Sequence, residues 1–296
     1  MVLDFFVKLK TSILWNVALV FMLLIITGCT EDSSPVASNK YTDEGKSALI
    51  IIVENNDGLL NSDSELYFQM YKFEMLSIFT EIFKVPIAKM IGMNLNQIIE
   101  NFGETWQINH IKESAVQYYD TIITMRNETA TLENFNNYLT SFSNSGYTID
   151  LVFCLHGNED IVAFYEDDLY IQQFANYIKS NKINLRMLYQ TCCYAGQALS
   201  KWESSGICAV NGAVGLNNIT LFSPGYFMEE WVNGTAFDDA VSNSFQRDID
   251  KIGSYNDRIP SKQYILTQEN INNSIQKVAG SNIKITKSNY LKVEAL

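Results

Sequence analysis

Short runs of consecutive apolar residues recur along the chain, and each ends on polar or turn-forming residues. Such runs are typical of strands that are buried on both faces of a sheet. We predict strands at residues 48–53, 120–127, 147–158, 183–190 and 206–215. The chain therefore has enough strands for one sizeable central sheet.

Segments with apolar residues at helical spacing lie between these runs. The longest covers residues 65–100, where Pro86 divides the pattern into two helices. Residues 128–142 form the next predicted helix, with Thr129 or Thr131 as its N-cap. Further helices are predicted at residues 167–181, 226–231 and 235–248, followed by a closing helix and strand. Strands that alternate with helices indicate an α/β fold with a mostly parallel central sheet and helices on both faces.

The N-terminal segment has the pattern of a targeting signal. Lys8 and Lys10 precede an apolar run at residues 13–26. The run leads into the sequence "ITGC", whose cysteine is Cys29. The run is shorter than the roughly 20 residues that a membrane-spanning helix needs, and it suits the apolar part of a secretory signal. "ITGC" resembles a bacterial lipobox, which implies that residues 1–28 are removed and that Cys29 carries a lipid. A plain signal peptide and an N-terminal anchor helix are the alternatives.

The lipobox resemblance implies a protein anchored by lipid to the bacterial cell envelope. Thr30, rather than an aspartate, follows the cysteine, which favours the outer membrane if the host has two membranes. Residues 29–46 are mostly polar and are predicted to be a flexible tether. Residues 47–296 then form one domain, in which residues 65–115 are a helical insertion.

Composition limits the possible chemistry. The chain has 33 acidic and 21 basic side chains, so its negative field argues against a nucleic-acid partner. It has two histidines, His110 and His156, and no histidine, cysteine and carboxylate cluster at metal-ligand spacing. We expect neither a metal nor a cofactor. Cysteines 154, 192, 193 and 208 are too few for a disulfide scaffold in an exported protein of this size.

Two candidate catalytic residues follow predicted strands. His156 comes after an apolar strand and precedes Gly157, and Cys193 comes after the next strand, with Gly196 three residues later. In open α/β sheets, ligand sites lie beyond the carboxyl ends of the strands. A cysteine and a histidine there can act as nucleophile and general acid–base. The backbone N–H groups of Gly157 and Cys193 are candidates for an oxyanion hole. Strand geometry alone does not choose between Cys192 and Cys193.

These blocks resemble the caspase-haemoglobinase fold, which includes caspases, metacaspases, legumain, clostripain and gingipains. "DLVFCLHGN" resembles the strand that ends in His-Gly, and "LYQTCCYAG" resembles the strand that ends in Cys-x-x-Gly. "IIIVEN" and "TMRNETATLENF" resemble the earlier elements. The resemblance implies a caspase-like three-layer sandwich and a cysteine endopeptidase that hydrolyses protein or peptide substrates. In several members of the family a glycine lies three residues after the nucleophile, so the resemblance implies that Cys193, followed by Gly196, is the nucleophile and that Cys192 packs behind it.

The substrate pocket departs from the family pattern. Metacaspases and clostripain carry an aspartate two residues before the nucleophile, where this chain has Thr191. Specificity for a basic residue is therefore not implied, although acidic residues near the predicted edge favour cations. Asn211 follows the fifth strand and is predicted to shape the substrate groove. The acidic residues concerned are Glu54, Asp57, Glu159 and Asp160.

Three other interpretations remain open at this point. The domain could be a non-catalytic binding or scaffold lipoprotein that uses the aromatic helices of residues 65–100 as its interaction surface. Such a stripe is more often ordinary core, and we expect these apolar side chains to be core. The adjacent cysteines could form a redox couple, although redox sites usually have Cys-x-x-Cys spacing. His110 has no strand end, glycine or cysteine beside it, and we expect it to be structural or exposed.

Overall fold

The computed structural model describes residues 45–54, 69, 72–217, 220–256 and 268–285. The predicted signal segment, Cys29 and most of the tether lie outside the described residues, as does Asp57. Within the described part of the chain, no helix is both long enough and apolar enough to cross a membrane.

A six-stranded sheet forms the centre of the domain, and its strand order is β2-β1-β3-β6-β7-β8. The first five strands in this order pair in parallel, and β8 pairs antiparallel with β7 at one edge. A separate antiparallel hairpin consists of β4 and β5. The strands are β1 (Ser47–Glu54), β2 (Thr121–Met125), β3 (Thr148–Leu155), β4 (Ile161–Phe164), β5 (Asp167–Tyr170), β6 (Leu185–Gln190), β7 (Ala209–Ala213) and β8 (Gln276–Gly280).

Helices connect the strands and cover the sheet. A π-helical segment, Ile99–Gly103, joins α2 to α3 without a break, and short 3-10 turns lie at Ile87–Lys89, Asn127–Thr129 and Ala195–Gln197. The helices are α1 (Lys72–Phe83), α2 (Leu95–Ile98), α3 (Glu104–Ala115), α4 (Leu132–Asn144), α5 (Ile171–Asn181), α6 (Leu199–Ser204), α7 (Ser223–Val232), α8 (Phe237–Asn256) and α9 (Gln268–Ser274).

Alternate residues of the central strands contribute to two different apolar clusters. The first cluster contains Phe153 and Leu188 together with residues of α4, α5 and α6. The second contains Cys154 and Tyr189 together with residues of α3, α7 and α8. Because successive strand side chains point to opposite faces, the two clusters lie on opposite sides of the sheet. This confirms the predicted α/β class, with a mostly parallel sheet and helices on both faces.

A third apolar cluster accounts for much of the predicted helical insertion. Buried side chains of α1, including Phe79 and Phe83, pack with Ile98 and with Phe222 near the start of α7. Helix α1 ends at Phe83, shortly before Pro86, so the proline separates two helical segments as predicted. The second segment continues through the π turn to Ala115. Most of the apolar side chains in the described part of this stripe are therefore core.

The hairpin β4–β5 differs from the sequence prediction, which placed a helix over residues 167–181. Helix α5 begins at Ile171, and residues 167–170 form β5 instead. Burial alternates along β4, and Glu166 turns the chain with a φ of 61°. A two-residue period of this kind is typical of a half-buried strand. The physical reason for the error is that β4 and β5 have only four residues each, β4 has no polar residue to mark its exposed side, and β5 runs directly into the helical pattern.

Two other local predictions concern helix ends. Thr131 is the N-cap of α4, since its side chain accepts a hydrogen bond from the N–H of Asn134 at 3.2 Å. Thr129, the other candidate, lies in the preceding 3-10 turn. Helix α8 extends to Asn256, which is longer than predicted.

Candidate functional site

The two predicted site residues follow neighbouring strands of the sheet. Strands β3 and β6 pair directly in parallel, and Phe153 lies beside Gln190 in their register. The N–H of Thr191 donates to the carbonyl of Phe153 at 2.9 Å, which extends the pairing past the end of β6. His156 and Cys193 each lie three residues beyond that last registered pair. Both residues are therefore at the carboxyl edge of the sheet, where ligand sites of open α/β folds occur.

The two adjacent cysteines lie in different environments. Cys192 is fully buried in the first cluster with Leu155. Burial raises its thiol pKa far above the usual range, as it does for Cys154. Cys193 is only partly buried, and burial raises its pKa less severely. Of the two adjacent thiols, Cys193 is therefore the one that a solvent-borne ligand can reach.

Gly157 lies where the chain leaves β3 and meets the hairpin. It forms an isolated antiparallel bridge with Val162, flanked by hydrogen bonds from Asn158 N–H to Ile161 and from Ala163 N–H to His156, each 2.9 Å. Gly157 and Val162 are thus a non-hydrogen-bonded antiparallel pair, so the N–H of Gly157 does not donate to Val162. A Cβ at Gly157 would lie 2.7 Å from the Ile161 carbonyl oxygen, so the position requires glycine.

The turn after Cys193 packs closely against the backbone of β7. Tyr194 has a φ of 55°, and its N–H donates to the carbonyl of Gly215 at 2.8 Å. A Cβ at Gly196 would lie 2.8 Å from the carbonyl oxygen of Ala213. Gly196 therefore allows two backbone segments to touch. This close approach gives the Cys-x-x-Gly spacing a structural reason in this chain.

Asn217, which the sequence analysis missed, contacts the candidate nucleophile directly. Its backbone N–H donates to Cys193 Sγ at 3.3 Å, and its Nδ2 donates to the carbonyl of Thr191 at 3.0 Å. The first of these bonds lowers the pKa of Cys193 and so offsets part of the effect of burial. Asn217 follows β7 at the same edge of the sheet. The rule that selected His156 and Cys193 would have selected it as well.

The predicted pocket residues Thr191 and Asn211 are both buried. Thr191 is held to β3 through its backbone and is 8% exposed. Asn211 is fully buried, and its amide bonds to the backbone N–H and carbonyl of Gln190 at 2.7 and 2.9 Å. It also donates to Gln276 at 2.8 Å. Its side chain therefore joins β6, β7 and β8.

The acidic residues of the predicted edge are divided between two places. Glu159 and Asp160 are exposed in the loop before β4, where Lys201 pairs with Asp160 at 2.5 Å and donates to the Glu159 carbonyl at 2.6 Å. Lys201 neutralises part of the negative charge of this loop. Glu54 is buried at the end of β1, beside Leu155 in the strand register. Two exposed apolar residues lie close to Asn217: Leu216 precedes it in the chain, and the carbonyl of Ile275 accepts the N–H of Val214.

His110 lies elsewhere in the fold, on α3. Its ring packs against Trp106 and Tyr226, with ring centroids 4.9 and 5.5 Å apart, and burial lowers its pKa. Gly225 of α7 packs directly on the imidazole. His110 therefore belongs to the packing between α3 and α7, which fits the structural part of the prediction.

Among the described residues, no group of three or more His, Cys, Asp or Glu side chains is placed to hold a metal ion. Comparison of the chain with protein-family models gave no match, and comparison with curated proteins gave none either.

Proposed function

We propose that the domain is a cysteine endopeptidase of the caspase-haemoglobinase type, with Cys193 as nucleophile and His156 as general acid–base. The observation that carries the proposal is the alignment of these two residues on adjacent parallel strands. Phe153 registers with Gln190, and His156 and Cys193 each lie three residues further along the chain, just past the ends of β3 and β6. Both residues are partly exposed at this level of the sheet edge, where a ligand can reach them.

The division of the strand residues between the two clusters supports the same pairing. Leu155 and Cys192 belong to the first cluster, whereas Cys154 and Tyr189 belong to the second. Side chains alternate along an extended chain. If the alternation continues for one more residue, His156 and Cys193 project toward the same side, away from Leu155 and Cys192.

The proposed reaction begins with a neutral thiol, because burial raises the pKa of Cys193. The imidazole of His156 takes the Sγ proton as Sγ attacks the carbonyl carbon of the scissile peptide bond. The imidazolium then gives the proton to the leaving amine nitrogen as the C–N bond breaks. Water, deprotonated by His156, attacks the resulting thioester and releases the acid, and the proton returns to Sγ.

The N–H groups of Gly157 and Cys193 are proposed to stabilise the negative oxygen that forms in each step. Within the described part of the chain, neither N–H donates to a backbone carbonyl, and the Cys193 N–H lies against its own Sγ. The Cys193 N–H adjoins the thiol, and Gly157 packs against Cys192, since a Cβ there would lie 3.2 Å from the Cys192 Cβ. Donors that are already fixed and unoccupied lower a barrier more effectively than donors that must first reorganise.

Lipid attachment at Cys29 would place this activity at the bacterial cell envelope. The lipobox resemblance supports that part of the proposal, which needs its own test. Labelling cells with an alkyne fatty acid, in wild type and in Cys29→Ser, is expected to tag only the wild-type protein. A tag retained in Cys29→Ser would argue against the assignment.

Hydrolysis of a fluorogenic peptide library tests the activity. The wild-type domain should cleave a subset of peptides, and Cys193→Ser and His156→Ala should lose at least about 100-fold in kcat/KM. Cys208→Ser is the matched control, because it also removes a partly buried thiol and should leave cleavage unchanged. Equal cleavage by wild type and Cys193→Ser would contradict the proposal.

A non-catalytic binding role is the second candidate, and one observation favours it. Phe73 on α1 is 76% exposed and Ile91 is 62% exposed. The two lie in one region, since Lys72 Nζ donates to the carbonyl of Met93 at 3.4 Å. A domain that binds a partner here would retain the fold without cleaving peptides, and Phe73→Ser would weaken binding without changing Cys193 reactivity.

A further inference from the structure

We infer that Asn217 is a positioning residue that sets the reactivity of the Cys193 thiol; the inference rests on the proposed function. It acts by holding its own backbone N–H against Cys193 Sγ. Sulfur is a weak acceptor when protonated and a much better one as a thiolate. An N–H fixed at 3.3 Å therefore stabilises the charged form more than the neutral form.

The side chain of Asn217 keeps this N–H in place. Its Nδ2 donates to the carbonyl of Thr191, which precedes the cysteine pair by one residue. Asn217 thus bonds to the segment on both sides of Cys192, once through its side chain and once through its backbone. The resulting bracket joins the chain after β7 to the chain after β6 at the candidate nucleophile.

The segment that carries Asn217 is itself firmly held on its other side. The N–H of Gly215 donates to the carbonyl of Asn273 at 2.7 Å, and the N–H of Val214 donates to the carbonyl of Ile275 at 3.0 Å. Tyr194 N–H adds its bond to Gly215. A donor on such a segment loses little conformational freedom when it binds the thiolate. The free energy of the hydrogen bond is therefore not offset by the cost of ordering the segment, and it lowers the pKa of Cys193 more effectively.

Asn217 also carries an unfavourable feature that stability alone does not explain. The residue is only 6% exposed, and its Oδ1 atom is buried with no hydrogen-bond partner among the residues that the structure describes. Unsatisfied buried acceptors are rare in folded proteins and call for a specific explanation. The bracket supplies one, because Nδ2 and the backbone N–H both have partners that position Cys193.

Iodoacetamide labelling between pH 5 and 10, read by mass spectrometry at each cysteine, tests the inference in the intact domain. Asn217→Asp keeps the shape of the side chain and replaces the Nδ2 donor with an oxygen that repels the Thr191 carbonyl. We expect the midpoint for Cys193 to rise by about one pH unit, which is about tenfold less thiolate near pH 7.5. The labelling of Cys208 should not change and serves as the internal reference.

Two further variants separate positioning from folding. Asn181→Asp removes a similar bond, from Nδ2 to the Tyr177 carbonyl at 2.9 Å, far from the site, and should leave the Cys193 midpoint unchanged. Asn217→Ala should raise the midpoint without adding a charge. If Asn217→Asp and Asn217→Ala both lower the melting temperature but leave the Cys193 midpoint at its wild-type value, the inference is wrong.

The same assay keeps the two proposals apart. If Cys193 is labelled at the same rate in wild type and in His156→Ala, the proposed dyad is wrong, whatever the Asn217 variants show. A clear His156→Ala effect together with an unchanged midpoint in the Asn217 variants would overturn only the positioning role.

Discussion

Gly157 packs against Cys192, and a Cβ at Gly157 would lie 3.2 Å from the Cβ of Cys192. This contact joins the strand end that carries His156 to the strand end that carries Cys193. Cys192 thus has a role that needs no reactivity, because it fills the space behind the site. The candidate site is built on contacts between two strand ends rather than on mobile loops, which favours precise placement of its side chains.

Gly157→Ala tests the importance of this close packing. The added Cβ would lie 2.7 Å from the Ile161 carbonyl oxygen, which belongs to the backbone and cannot move aside easily. We expect the free energy of unfolding to fall by about 1–3 kcal/mol and peptide cleavage to fall sharply. Urea denaturation and cleavage assays measure the two effects. Gly103→Ala is the glycine control away from the site, since its φ of −65° suits any residue and a Cβ there would meet its nearest neighbours at 3.5 Å or more. Full activity in Gly157→Ala would contradict the proposed placement.

Asn211→Ala should destabilise the sheet rather than alter substrate choice. Asn211 satisfies the buried N–H and carbonyl of Gln190 where β6 and β7 no longer pair directly. Leaving both groups without a partner should lower the free energy of unfolding by about 2–4 kcal/mol. Chemical denaturation measures this loss, with exposed Asn176→Ala as a control that should change it by less than about 0.5 kcal/mol. An unchanged unfolding free energy with altered peptide preference would instead support the pocket role.

Asp248 predicts a pH dependence of stability. It is fully buried, and its Oδ2 accepts the N–H groups of Phe222 and Ser223 at 3.0 and 2.7 Å. Burial nevertheless raises its pKa from 3.8 to about 7. Because the folded state holds the proton more tightly than the unfolded state, the contribution of Asp248 to stability is greatest below about pH 4. This contribution decreases as the pH rises from about 4 to about 7. Above that pH the titration of Asp248 no longer changes the free energy of unfolding.

Comparison of wild type with Asp248→Asn isolates this effect from other titrating groups. The difference in unfolding free energy between the two proteins should shift in favour of the variant by up to about 4 kcal/mol from pH 4 to pH 8. Urea denaturation at several pH values measures it. A difference that is the same at pH 4 and pH 8 would show that the carboxyl group keeps an ordinary pKa.

The sequence predicted those parts of the fold that have a simple pattern. Mostly apolar runs located β1, β3, β6 and β7, because a strand buried on both faces has few polar positions to obscure it. The hairpin β4–β5 was missed because its strands are short and lie directly before a helix. The sequence also predicted that His156 and Cys193 lie at the same edge of the sheet, because each residue directly follows a predicted parallel strand.

Side-chain networks between distant elements could not be predicted from spacing. Asp150 and Arg186 interrupt two apolar runs, and they form a fully buried ion pair at 2.6 Å. Tyr119 and Trp231 complete this network, each donating to Asp150. Opposite charges within two neighbouring strands were a signal, but the tyrosine and the tryptophan come from elements that only the folded chain brings together.

The most direct test of the central claim is the rate of iodoacetamide labelling at Cys193 relative to Cys208, in wild type and in His156→Ala. Both thiols are partly buried, and burial raises the pKa of each, so Cys208 is a matched reference without the proposed base. If His156 activates Cys193, wild-type Cys193 should react at least about tenfold faster than Cys208 at pH 7, and His156→Ala should abolish the difference. Cys193 that reacts no faster than Cys208, with no change in His156→Ala, would contradict a catalytic dyad and favour the binding role.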